Sequence, residues 1–100
     1  MLVQKEKKDS SVIFHVSGEL DTLSAPELEK AMAPELDSVS SVVLDLNELQ
    51  YISSSGIRVL LGAHKRMTGR GEMIILNPHA EIMEVFELTG LADVFDIRQE

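Results

Sequence analysis

The sequence predicts an α/β domain built on a mixed, mostly parallel sheet of about four to five strands with helices packed against it. Three observations carry this expectation. Two nearly continuous apolar runs, Ser41–Leu46 and Glu72–Leu76, read as strands covered on both faces. The stretch between them is helical in pattern: Ile57, Leu60, Leu61, His64 and Met67 share one side, and Arg58, Gly62, Lys65 and Arg66 the other. A strand, helix, strand succession then requires parallel pairing through a right-handed crossover.

The remaining elements follow in chain order. Leu2–Lys8 is a charged candidate strand suited to a sheet edge, where its lysines discourage unwanted pairing. Asp9-Ser10-Ser11 supplies a turn, and Val12–Ser17 alternates, with Val12, Phe14 and Val16 on one face and Ile13, His15 and Ser17 on the other, which makes a hairpin. Gly18–Leu23 reads as a loop. Ser24-Ala25-Pro26-Glu27 has the form of a capping box, and Leu28, Ala31 and Met32 continue it as a helix. Pro34 removes a helix hydrogen bond and predicts a break or kink near it.

Asn47–Ser53 reads as a second loop, and Gly69 and Gly71 as stop signals for the helix that follows. Asn77-Pro78 resembles a cap followed by proline at the first helical position, and Ile82, Met83 and Phe86 form the apolar stripe of a third helix with Glu81, Glu84 and Glu87 on its wet side. Gly90 ends that helix and Val94–Ile97 reads as the last strand. The predicted order is β-β-α-β-α-β-α-β in one domain, residues 1–100.

Composition bounds the function. With 44% hydrophobic and 26% charged residues the chain is that of an ordinary soluble globular domain. The absence of cysteine excludes disulfides, thiolate nucleophiles and cysteine zinc sites, and suits a reducing cytoplasm. No apolar run approaches the roughly 18 residues of a membrane span, and no secretory leader is expected after Met1. A net charge of −8 repels a phosphate backbone, so nucleic acid is not the expected partner. A protein is.

In an open parallel sheet, ligands gather at the loops leaving the C-terminal strand ends. Here those loops are Gly18–Leu23, Asn47–Ser53 and Asn77–His79, and the triple serine Ser53-Ser54-Ser55, followed by Gly56, stands at that rim where a helix begins. One serine suffices to cap a helix. A serine hydrolase would need a base and an orienting group. His64 falls on the apolar side of its helix, His15 in mid-strand, and His79 in a rim loop without an adjacent carboxylate. Neither a G-x-S-x-G elbow nor an H-E-x-x-H pair occurs. Asp45 reads as an acceptor for nearby backbone N–H groups and Asp21 as a turn former. Gly62, on an exposed helix face, would place Arg58, Val59 and Gly62 in one patch beside the serines.

Four segments together resemble a STAS domain: Gly18-Glu19-Leu20-Asp21, Val43-Leu44-Asp45-Leu46, Tyr51 through Leu61, and Phe86-Glu87-Leu88-Thr89-Gly90-Leu91. They span almost the whole chain in order, and the length is similar to the stand-alone anti-sigma factor antagonists of bacteria. The resemblance implies a cytoplasmic partner-switching module without a cofactor. In that family a serine at the start of the helix, within an Asp-Ser-Ser/Ala-Gly pattern, is phosphorylated by a cognate anti-sigma factor that is itself an ATP-dependent serine kinase. The unphosphorylated form binds that kinase and frees a sigma factor, and a PP2C-type phosphatase resets it.

The matching position here is Ser54, and Asp21 matches the family's rim-loop aspartate. Ser53 stands where the family has Asp, which removes a carboxylate beside the acceptor. The expected partner contact is built from Asp21, Thr22, Ser53, Ser55, Gly56, Arg58 and Val59. The edge at Leu2–Lys8 allows a monomer or a weak dimer. The rival expectation is a STAS-type nucleotide or small-molecule sensor, in which the serines touch a phosphate or hydroxyl directly; no Gly-rich P-loop with its lysine accompanies them.

Overall fold

Two antiparallel strands open the chain, β1 (Leu2–Lys8) and β2 (Ser11–Leu20), in a computed structural model that describes residues 1–100. Then follow α1 (Ala25–Leu36), β3 (Ser41–Asp45), β4 (Leu49–Ile52), α2 (Ser54–Met67), β5 (Glu72–Leu76), α3 (Ala80–Leu88), a single 3-10 turn at Leu91–Asp93 and β6 (Asp96–Arg98). The main sheet runs β1-β2-β3-β5-β6, antiparallel at the β1–β2 edge and parallel elsewhere. The predicted α/β class and mixed sheet are what the chain adopts.

The strand order advances in one direction from β2 to β6, so right-handed crossovers place all three helices on one face. That face carries the core in register: Val12, Val42 and Met73 lie side by side in one row, and Phe14, Leu44, Ile75 and Ile97 in the next. The expectation that Ser41–Leu46 and Glu72–Leu76 are covered on both faces is corrected here. On the far face Ile13, Val43, Asp45 and Leu76 are only half-buried, although Ile74 is buried, because no connection crosses on that side. Lys5 and Lys7 of the edge strand also turn toward the helices. Their ammonium groups lie 2.8 and 2.9 Å from the carboxylate of the largely buried Glu35, and these contacts, the one from Lys5 foremost, hold its carboxyl below the usual range.

Several boundaries differ from the sequence reading. β2 runs on to Leu20, where a loop was expected, and part of the expected loop Asn47–Ser53 is the short strand β4. The two pair in parallel, with a register shift at Gly18/Glu19. Gly18 adopts φ +86 at that shift, a conformation that costs glycine little. The signal in β4 was weak because its four residues run buried, exposed, exposed, buried instead of alternating.

The capping box at Ser24 is not formed: Ser24 has helical backbone angles and its hydroxyl turns back into the preceding loop. α1 continues past Pro34 and ends two residues later at Leu36. In α2 the buried line is Gly56, Leu60, Ala63 and Met67, and Ile57, Leu61 and His64 are half-buried at its side. α3 begins at Ala80, with His79 as its first flanking residue and Asn77 in a left-handed conformation. Val94 and Phe95 precede the last strand, because the Phe95 N–H bonds to Leu91 O in the 3-10 turn. Phe95 is thereby buried, edge-on to Phe86 and His64 at 5.5 and 5.7 Å between ring centres.

Candidate functional site

The pairing of β2 with β4 builds the rim. Glu19 lies opposite Tyr51 and Leu20 opposite Ile52, so the loops leaving these strands start side by side, and the Ser53 N–H donates to Leu20 O at 2.8 Å. Gly56 makes the approach possible. A Cβ there would sit 2.7 Å from Leu20 Cγ and 2.9 Å from Ile52 Cγ1, so only glycine lets α2 start this close to the sheet. Gly56 is accordingly buried and faces inward. Its burial leaves little of it to present to a partner, where the sequence reading had placed it in the contact.

The Asp21 loop is held by its own side chains. Asp21 Oδ1 accepts from the Leu23 and Ser24 N–H groups at 3.0 and 2.9 Å. Ser24 Oγ accepts from the Asp21 N–H at 2.9 Å and lies 2.9 Å from the Glu19 carbonyl. These donors, the Ser24 N–H foremost, keep the Asp21 carboxyl below the ordinary carboxylate range. Asp21 is thus the turn former the sequence suggested, with its charge directed into the loop.

The three serines have three different surroundings. Ser53 is the N-cap of α2, with extended backbone and its Oγ accepting from the Gly56 N–H at 3.2 Å. Ser55 is half-buried, its Oγ 3.5 Å from Thr22 Oγ1 across the two loops. Ser54 is exposed at the first helical position, and its hydroxyl has no hydrogen-bond partner within the chain. No acidic residue occupies the first turn of α2, while His64, Lys65 and Arg66 occupy its last, so the positive end of the helix dipole at Ser54 is uncompensated. Thr22, Ser55, Arg58 and Val59 line one shallow concavity between the starts of α1 and α2.

None of the three histidines hydrogen-bonds to a serine. His15 Nδ1 lies 2.7 Å from Asp45 Oδ2 and Nε2 lies 2.7 Å from Glu6 Oε1, so both ring nitrogens are engaged with carboxylates on the far sheet face. Those partners, Asp45 foremost, raise its proton affinity. Asp45 also accepts from the Asn47 N–H at 3.0 Å, as its position suggested. His64 packs on Phe95, and His79 makes no side-chain bond at the start of α3. The third rim loop anchors the chain end: the Asn77 N–H donates to Arg98 O and Asn77 Oδ1 accepts from the Glu100 N–H. No helix is long and apolar enough to cross a membrane.

A family model, described as the STAS domain, matches residues 3–100. The chain belongs to the STAS domain family. Among relatives of this STAS domain is the anti-sigma-B factor antagonist of Listeria monocytogenes, 31% identical over 94% of this chain and 84% of the relative. The anti-sigma factor antagonist SpoIIAA, solved in its unphosphorylated form, has the same fold at 22% identity, with a TM-score of 0.87 over 99% of this chain and 88% of that one. Its phosphorylated form matches with a TM-score of 0.81, again at 22% identity, over 99% and 91%. An anti-sigma factor antagonist from Mycobacterium paratuberculosis matches at 26% identity and a TM-score of 0.87, over 96% and 83%.

One rim residue of the STAS domain escaped the sequence reading. Leu23, at the apex of the Asp21 loop, is 88% exposed. The available signal was a single large apolar residue between turn formers and a helix start.

Proposed function

We propose that this STAS domain is an anti-sigma factor antagonist whose grip on its partner is switched by phosphorylation of Ser54. The observation that carries the proposal is the division of labour among the serines. Ser53 is engaged as the cap and Ser55 faces Thr22, which leaves Ser54 as the one exposed, unpartnered hydroxyl at the helix tip. The names of the relatives support the antagonist role, and the two forms in which SpoIIAA is known support a phosphorylation switch.

Unphosphorylated, the rim presents Thr22, Ser55, Arg58 and the half-buried Val59 to an anti-sigma factor that is also an ATP-dependent serine kinase, and its capture frees the sigma factor. Transfer of the γ-phosphoryl group to Ser54 Oγ releases ADP and leaves a group of about −1.5 to −2 charges on the helix tip. Free backbone N–H groups and the helix dipole stabilise that anion, so the domain stays folded. Docking is what suffers: the phosphate must be desolvated and is repelled by the acidic group of the partner that Arg58 had faced. Moving the equilibrium from mostly bound to mostly free requires about 5.5 kcal/mol of differential affinity, which lost charge-assisted contacts plus repulsion supply. A PP2C-type phosphatase removes the phosphate in the cytoplasm and restores binding.

The test has two arms. Incubation with the purified kinase-type anti-sigma factors of the source cell and ATP, followed by mass spectrometry, should place the phosphate on Ser54 and leave Ser53 and Ser55 unmodified. Calorimetric titration should then find Ser54→Ala binding as the wild type does and Ser54→Asp binding at least tenfold more weakly. Equal binding by the two variants defeats the switch, and phosphate on Ser55 alone moves it to the wrong hydroxyl.

A further inference from the structure

Leu23 stands out among the exposed large apolar residues because it sits in a turn that is firmly built. The Asp21 carboxylate and the Ser24 hydroxyl between them fix the backbone N–H groups of residues 21, 23 and 24, and the Ala25 N–H closes onto Asp21 O at 2.8 Å. A loop held this tightly loses little freedom on binding, yet its apex side chain packs on nothing in the chain and is 88% exposed. The neighbouring residue Thr22 touches Ser55, so this apex borders the switch serine's helix directly. Glu19, Asp21 and Glu27 line the same concavity as Leu23, and on its other side Arg58 shares the concavity of Thr22 and Ser55 with Glu29.

We propose that Leu23 is the apolar anchor of the partner interface, inserting into a leucine-sized apolar pocket of the anti-sigma factor whose margin carries basic residues facing Glu19 and Glu27. This inference rests on the antagonist reading above and adds to it a contact that does not involve the phosphorylated hydroxyl. The anchor supplies affinity in the unphosphorylated state through desolvation of an apolar side chain held in place beforehand. The carboxylates gathered on the Glu19 and Glu27 side of it fix the orientation in which the partner docks, and with it the alignment of Ser54 to the kinase.

The experiment measures the dissociation constant of the purified kinase-type anti-sigma factor that phosphorylates this chain, against the wild type and against Leu23→Ala, Leu23→Glu and Leu23→Met. Leu23→Ala is expected to weaken binding about 30-fold or more and Leu23→Glu further, while Leu23→Met stays within a few-fold of the wild type. Because Leu23 packs on nothing, circular dichroism and melting temperature should be unchanged in all three. A loss below about tenfold in Leu23→Ala, with the wild type bound, overturns the anchor and leaves the antagonist reading intact. A wild type that binds none of these kinases overturns that reading, and the anchor with it. Sedimentation of the chain alone should show no association that depends on Leu23; one that does assigns the surface to a second copy and overturns the proposal.

Discussion

At the first turn of α2, neighbouring hydroxyls differ only in what surrounds them, and those surroundings have measurable consequences. Ser53→Ala removes the acceptor of the Gly56 N–H and should cost about 1 kcal/mol in urea unfolding, whereas Ser53→Asp keeps the cap. Ser54→Ala, which breaks no bond within the chain, should leave stability unchanged. Phosphorylation of Ser54 should raise the unfolding free energy by about 0.3–1 kcal/mol through the uncompensated dipole. That gain should shrink in Ser53→Asp, because a carboxylate then stands beside the phosphate. A phosphorylated wild type less stable than the unmodified chain would show that the charge acts on the fold and not on docking.

Within α2 two glycines make opposite demands. A Cβ at Gly62 meets nothing within 4 Å, and the fold gives no reason for glycine on that exposed face. Gly62→Ala should therefore stabilise the domain by about 0.5–1 kcal/mol, read as a rise in the denaturation midpoint with an unchanged slope. Gly56→Ala forces Leu20, Ile52 and the Leu20 carbonyl apart and should cost about 1–3 kcal/mol. Since Gly56 fixes the distance between α2 and β2, that variant should also displace the amide signals of Thr22 and Ser55. Equal stability of the two variants would mean that the close approach of the helix to the sheet is not what holds the rim together.

Across the whole molecule, stability depends on pH through a few cross-element pairs. His15 joins β1 to β3 through Glu6 and Asp45, and its proton affinity is raised in the fold. The folded state therefore binds that proton more tightly than the unfolded chain. The resulting stabilisation is complete below the ordinary histidine value near 6.5 and disappears as pH rises through the raised one. Asp21 and Glu35 act in the other direction: their lowered values stabilise above the ordinary carboxylate range, and that contribution is lost as pH falls through them. Chemical denaturation of the wild type should accordingly show stability declining on the alkaline side of 6.5. His15→Gln should flatten that limb. An alkaline decline that persists in His15→Gln would assign it to another group.

The apolar periodicities of β2, β3, α2 and β5 determined the class of fold, the parallel order and the rim on which the serines stand, because burial of apolar rows is written locally in residue spacing. The ordered segments from Gly18 to Leu91 likewise carried the family. What the tertiary structure alone decided depends on residues distant in sequence. β4 exists because the far half of β2 offers it a partner, Gly56 faces inward because Leu20 and Ile52 meet it there, and only one sheet face is covered because every crossover has the same hand. Ser53 caps locally, accepting from the Gly56 N–H three residues on, whereas the engagement of Ser55 with Thr22 and the exposure of Leu23 were decided by how the loops came together in space.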